Sequence, residues 1–137
     1  MKVGNIERVA MVGAGRMGHG IALEYALGGE EVRLLTSRPE TAQRAREAVR
    51  EELELLAGEG LITTADAQMA AARVHPSVNM EEAVRDADLV VESVSEDLEL
   101  KLRLFHEIDQ LAPAHALIAS NTSALSITTL GAATRRP

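Results

Sequence analysis

A doubly wound parallel α/β sheet, in a single domain spanning residues 1–137, is the fold the sequence predicts. Two observations lead to it. Short apolar runs alternate with segments of helical period along the whole chain. The first apolar run ends in a glycine-rich turn that opens a helix. Tyr25 and Phe105 are the only aromatic residues, so the core of that fold has to be built from Ala, Val, Leu and Ile.

The elements follow in order. Residues 8–12, RVAMV, read as a buried strand ending at glycine. After the turn, Ile21, Ala22, Leu23, Tyr25, Ala26 and Leu27 have helical spacing, and Gly28 and Gly29 end that helix as a C-cap does. Gly20 reads as room for close packing of this helix. Residues 31–35, EVRLL, form a second strand. Pro39 belongs in a first helical turn, and Ser37 with Glu40 has capping-box spacing, so a long charged helix is expected over about 40–57, closed by Gly58 and Gly60. Thr63 and Asp66 open a short Ala-rich helix to about Arg73. Residues 74–78 make a weak strand that Pro76 confines to an edge or an end. Asn79 to Glu82 starts a further short helix, and residues 88–92 are a strand. Residues 97–111 form an amphipathic helix carrying Leu98, Leu102 and Phe105. A strand at 116–119 and a helix at 125–130 complete the alternation.

Composition removes several function classes. Lys and Arg number 14 against 21 Asp and Glu, a net charge of -7, which disfavours duplex nucleic acid; the two aromatic residues give no stacking platform for single strands. No apolar run approaches the ~20 residues of a membrane span. The N-terminal MKVGNIERVAMVG lacks a signal-peptide pattern. Zero Cys excludes disulfides and thiolate zinc sites, and the expected compartment is the cytoplasm. His19, His75, His106 and His115 show no metal-ligand spacing, so no metal site is expected. The use of 12 Arg against 2 Lys has no physical account here.

Gly13, Gly15 and Gly18 form G-x-G-x-x-G between strand and helix. The first glycine makes the tight turn, the second admits a pyrophosphate to the backbone, and the third lets the helix lie close to the strand. The helix N-terminus then presents N–H groups and a positive dipole end to phosphates. Arg16 and Met17 lie within the loop. The pattern predicts a dinucleotide-binding, Rossmann-type domain; the plainer alternative is a tight βα turn with no ligand.

Three ordered segments carry a family resemblance. Residues 12–22, VGAGRMGHGIA, resemble the opening of the 3-hydroxyacyl-CoA dehydrogenase family. Residues 91–101, VESVSEDLELK, resemble that family's VVEA-x-x-E-x-x-x-x-K segment, and residues 119–127, ASNTSALSI, its ASNTS-x-L-x-I segment. The resemblance spans essentially the whole chain as the family's N-terminal NAD-binding domain. It implies an oxidoreductase of fatty acid metabolism, moving a hydride between NAD or NADP and a hydroxyacyl substrate. It further implies that Glu96 and Lys101 lie near the nicotinamide ribose. Ser123 would then hydrogen-bond the substrate oxygen, and Asn121 would shape the strand end beside it. The family's catalytic His lies on a strand that would follow this chain's last residue, and its helical C-terminal domain makes the homodimer. On that resemblance the chain stops before the catalytic strand and is inactive alone.

The residues themselves leave alternatives. Glu96 also reads as an acid favoured in a first helical turn, and Lys101 as a solvated charge. Asn121, Thr122 and Ser123 also read as caps of the next helix. The reading from another class is a non-catalytic, cofactor-sensing module.

The chain departs from the family pattern twice. Where an acid should end the second strand and hold the adenosine ribose, it has Thr36, Ser37 and Arg38. Two hydroxyls and a guanidinium can accept a phosphate, which tips the expected cofactor marginally toward NADP; helix capping is the alternative. The long helix carries acids over 50–59 and no Lys from 39 to 60, which would repel rather than bind CoA phosphates. A free hydroxy acid or a carrier-bound acyl group therefore competes with acyl-CoA.

Overall fold

The structure is a computed structural model describing residues 6–136. The first five residues and Pro137 lie outside that range, and with them most of the basis for reading the N-terminus and the chain's last position. Eleven elements alternate: β1 (Arg8–Val12), α1 (Arg16–Gly28), β2 (Glu31–Leu35), α2 (Pro39–Gly58), α3 (Thr64–Arg73), β3 (Val74–Ser77), α4 (Met80–Val84), β4 (Leu89–Glu92), α5 (Leu98–Leu111), β5 (Leu117–Ser120) and α6 (Ile127–Gly131). The strands form one parallel sheet in the order β3-β2-β1-β4-β5. The chain winds outward from β1 on one side, then crosses to β4 and continues on the other. The carboxyl ends of β1 and β4 therefore flank the topological switch point, where open α/β sheets bind ligands.

Side-chain alternation along β1 shows how the sheet buries both faces. Val9 and Met11 pack with Leu23, Val49, Leu53 and Ala70 beneath α1, α2 and α3. Ala10 and Val12 face the opposite way, against Val84, Ala87, Ile108 and Ala112 on the α4–α5 side. Pro76 sits in β3, an edge strand as its missing N–H requires.

Expected caps at α3 and α4 are present: Thr63 accepts from Asp66 N at 3.0 Å and Asn79 from Glu82 N at 3.0 Å; Asp97 caps α5 in the same way, accepting from Leu100 N at 2.9 Å. Gly29, at φ 111°, ends α1. Three expectations need correction. α2 is closed by Thr41, not by Ser37 and Glu40: Thr41 Oγ1 donates to Arg38 O at 2.7 Å and accepts from Arg38 N at 3.2 Å. The last strand and helix start later than expected. Thr122 Oγ1 takes the N–H groups of Ala124 and Leu125 into a separate turn, and Ser126 caps α6. Gly20 faces open space, since a Cβ there would meet no atom within 4 Å, so close packing does not explain it. His75 lies in β3, within the expected weak strand, with Nε2 2.9 Å from the Glu31 carboxylate.

Two carboxylates fasten the lower edge and the tail. Asp109, 2% exposed, receives Arg135 Nε at 2.9 Å and Arg136 Nε at 2.6 Å, while Arg136 also donates to Asp109 O, the first of the carbonyls ending α5. Burial pushes the Asp109 carboxyl up, but the two arginines outweigh it and hold it well below the usual carboxylate range. Asp88 precedes β4 and accepts from Glu7 N, Arg8 N and the side chains of His115 and Arg8. Burial raises it, yet these hydrogen bonds prevail and hold it at about 2. A depressed carboxyl contributes stability that is complete above its unfolded value and is lost as pH falls toward its folded one. Asp88→Asn is thus expected to flatten the acid limb of the stability curve between about pH 4 and pH 2, by on the order of 1–2 kcal/mol after solvent screening. Urea titrations of both proteins at stepped pH measure it; an unchanged acid limb contradicts the assignment.

Candidate nucleotide-binding cleft

A cavity of ≈ 550 Å³ opens at the carboxyl ends of β1, β2 and β4. Its floor is the run 12–15, one wall is Leu35, Thr36 and Ser37, and the other is Ser93, Val94 and Ser95 with Leu100 and Leu104 behind them. The three glycines have distinct physical duties. Gly13 sits at φ +109°, and a Cβ on it would lie 2.6 Å from Ser93 O, so the turn and the 93–96 segment touch only because it is bare. Gly18 is closer still: a Cβ would stand 1.9 Å from Gly13 O. Gly15 has nothing within 4 Å of its Cβ position and lines the cavity. Glycine at 15 is therefore not required by packing, and its absent side chain leaves the cavity open to a ligand.

Helix α1 starts at Gly15 without a side-chain cap and with no acid in its first turn. Helices α3, α4, α5 and α6 all have a side-chain acceptor at their N-caps. The α1 N–H groups and dipole end thus face the cavity uncompensated, the arrangement that receives a diphosphate. Arg16 and Met17 are exposed beside it, Met17 by 58%. His19 bridges this turn to α2: Nδ1 is 2.9 Å from Gly15 O and Nε2 is 3.4 Å from the Glu52 carboxylate.

At the β2 end, the residues expected to act as three donors divide. Thr36 is buried, and its hydroxyl donates to Arg38 O at 3.0 Å, so only its lone pairs remain for a ligand. It can accept from a ribose hydroxyl but cannot donate to a phosphate. Ser37 and Arg38 are exposed, and no capping bond engages either side chain.

At the β4 end, Lys101 is neither a solvated charge nor a cation open to the cleft. It is 1% exposed, and Nζ donates to both oxygens of Glu92 at 2.8 and 3.0 Å. Glu92, 0% exposed, also accepts from Val94 N at 2.6 Å and Ser120 Oγ at 2.5 Å. In the sequence Glu92 looks like the plain end of an apolar strand; the signal that marks it is a carboxylate in that run with the family lysine nine residues on. Glu96 is exposed, lies 4.0 Å from Lys101 Nζ, and accepts from Thr122 Oγ1. Asn121 Nδ2 reaches Ser93 Oγ at 3.4 Å, and Ser123 is exposed on the same rim. The capping role falls to Thr122 and Ser126, leaving Asn121 and Ser123 outside it. Glu96 and residues 121–123 therefore gather beside the switch point, while Lys101 lies beneath them.

Among the described residues, no three His, Asp or Glu side chains cluster closely enough to hold a metal. No helix there is long and apolar enough to cross a membrane.

The parallel order, the uncapped helix behind a glycine turn and the cavity at the switch point define a dinucleotide-binding α/β domain. The family model described as "3-hydroxyacyl-CoA dehydrogenase, NAD binding domain" matches residues 8–137, and the chain belongs to that family. A probable 3-hydroxybutyryl-CoA dehydrogenase of Bacillus subtilis is 36% identical over 132 residues, covering 96% of this chain and 46% of the relative. Among solved structures, the (S)-3-hydroxybutyryl-CoA dehydrogenase of Ralstonia eutropha superposes with a TM-score of 0.91 at 35% identity, over 96% of this chain and 46% of that one. A diketoreductase superposes at 0.89 with 30% identity, over 97% and 47%. The chain spans about half the length of these relatives.

Proposed function

We propose that the chain holds NAD or NADP across the switch point for a hydroxyacyl oxidoreductase that is a homodimer when complete. The uncapped α1 N-terminus, open to the cavity at Gly15, carries this reading. The diphosphate lies on the N–H groups of residues 15–18, flanked by Arg16 and Met17, and the adenosine ribose lies at the β2 end beside Thr36. The nicotinamide half lies toward Glu96 and Asn121. The bound nicotinamide supplies the hydride donor or acceptor. Glu96 accepts a hydrogen bond from its ribose, and Ser123 Oγ donates to the substrate oxygen. The F-x-G-x-H-type segment that carries the family's base does not occur among the 137 residues. Purified chain is expected to show no turnover of 3-hydroxyacyl substrates, since a missing general base costs about 10²–10⁴ in rate. Sustained NAD(P)H formation in a spectrophotometric assay contradicts this. Binding without turnover suits the domain of a larger enzyme and a cofactor sensor alike; joining the chain to a relative's C-terminal half separates them.

The substrate reading remains a 3-hydroxyacyl or related hydroxy-acid group. The exposed acids Glu47, Glu51 and Glu54 of α2, and Glu59 just after it, disfavour CoA phosphates.

The cofactor choice rests on Ser37 and Arg38. Both are exposed just past the β2 end, where neither side chain is held by a capping bond, and β2 itself ends without the carboxylate that excludes a 2′-phosphate, the nearest acid being Glu40 in the first turn of α2. Thr36 contributes nothing to holding a 2′-phosphate, because its proton is already donated to Arg38 O and its lone pairs suit a ribose hydroxyl. A charge-assisted hydrogen bond contributes roughly 1.5–3 kcal/mol before solvent screening. The expected result is a modest NADP preference in wild type that Arg38→Ala lowers several-fold while leaving NAD affinity unchanged. Paired calorimetric titrations measure it; a wild type preferring NAD by more than about tenfold overturns the phosphate role. Thr36→Asp is the weaker probe, since it would bury a carboxylate against Arg38 O.

A further inference from the structure

We propose that His19 is a positioning residue for the diphosphate: its ring locks the Gly15–Arg16 peptide, so that the Arg16 N–H stays aimed off the end of α1 toward the cavity. The lock is a matter of geometry alone; its consequence for binding rests on the dinucleotide reading.

The first turn of α1 has to hold its N–H groups still, yet its sequence opposes that. Residues 15–20 read GRMGHG, and each glycine in a helix adds backbone freedom. No side chain caps the Gly15 end. Gly15 cannot carry a restraint of its own, because the space its Cβ would take is the path of the ligand. One side chain compensates from the next turn, outside the cavity. Gly15 O takes the ordinary first-turn bond from His19 N at 3.1 Å and a second from His19 Nδ1 at 2.9 Å. A carbonyl oxygen only accepts, so Nδ1 carries the hydrogen. Among the described residues, no other side chain hydrogen-bonds the backbone of residues 13–18. The peptide is trans, so an oxygen pinned toward the helix fixes the Arg16 N–H on the opposite side. The ring is held in turn from α2, where the Glu52 carboxylate lies 3.4 Å from Nε2. Donors that are fixed before the ligand arrives spare binding the cost of ordering them.

His19→Ala and His19→Asn test it, because helix propensity and the lock rank them oppositely. Alanine is the better helix former and removes the bond. Asparagine is a poorer helix former, but its Nδ2 hangs from Cγ as the ring Nδ1 does and reaches the same oxygen. Calorimetry with NAD is expected to show affinity weakened about three- to tenfold in His19→Ala, the range of one net hydrogen bond, and restored to within about twofold of wild type in His19→Asn. Thermal melting is expected to run the other way, with His19→Ala at or above His19→Asn. Unchanged affinity in His19→Ala overturns the proposal. So does a His19→Asn variant that binds no better than His19→Ala, which is the outcome of a ring that works through Glu52 or through helix stability alone. The lock is also read without any ligand, from the imidazole nitrogens. In a long-range ¹H–¹⁵N spectrum at alkaline pH, where a histidine ring is neutral, the His19 proton is expected on Nδ1; a proton on Nε2 overturns the lock. A wild type that binds neither NAD nor NADP overturns the dinucleotide reading, and the spectrum still decides the lock on its own.

Discussion

Gly15→Val abolishes dinucleotide binding, by at least about a hundredfold, while the melting temperature moves by no more than a few degrees. Few substitutions separate binding from folding so sharply. The Cβ position of Gly15 has no neighbour within 4 Å, so the folded protein has room for the branched side chain. That room is the path by which a diphosphate reaches the α1 N–H groups, and the valine methyls fill it. Gly18→Val provides the contrast. Its Cβ would stand 1.9 Å from Gly13 O, a backbone atom that cannot rotate away, so α1 must leave β1 and the fold fails. The pair is read by calorimetry with NAD and by thermal melting. Retained affinity in Gly15→Val means that the ligand does not use this turn.

Lys101→Met is the second large effect, and it falls on stability. The substitution leaves Glu92, 0% exposed, as a buried carboxylate without its cation. Breaking one side of a buried pair costs about 3–5 kcal/mol, because the remaining charge keeps its desolvation penalty. A domain of this size has on the order of 5–15 kcal/mol in total. Chemical denaturation is expected to show a midpoint sharply lowered at unchanged slope, and the addition of Glu92→Gln is expected to restore most of it. A loss below about 1 kcal/mol means the pair is hydrated in solution.

The parts of this molecule that were legible in its sequence are those with local causes. A strand buried on both faces shows as an apolar run, and Val9, Met11, Ala10 and Val12 do so regardless of which helices cover them. Thr63–Asp66 and Asn79–Glu82 are capping contacts across three residues, so spacing alone places them. Where two hydroxyls compete for one cap, spacing fails. Ser37 and Thr41 both lie near the start of α2, and only the extended backbone of Arg38 decides for Thr41. The glycine turn was legible as a pattern, but the division of labour between Gly13, Gly15 and Gly18 depends on Ser93 O and Gly13 O, which no local rule supplies. Contacts across long separations were the least visible. Lys101 carried a family motif that pointed toward the ligand, yet its ammonium turns inward to Glu92, because a strand-end carboxylate there has no other cation within reach among the described residues. Arg136 on Asp109 is the same kind of case, as an exposed-looking basic pair that closes the end of α5.

An ¹H–¹⁵N correlation spectrum recorded during titration with NAD or NADP tests the central claim most directly. The account predicts saturable shifts at the amides of residues 13–18, 36–38, 93–96 and 121–123, with β3 and the α2–α3 turn unmoved. A titration that shifts none of these amides at millimolar cofactor, or that shifts only residues away from the carboxyl ends of β1, β2 and β4, contradicts it.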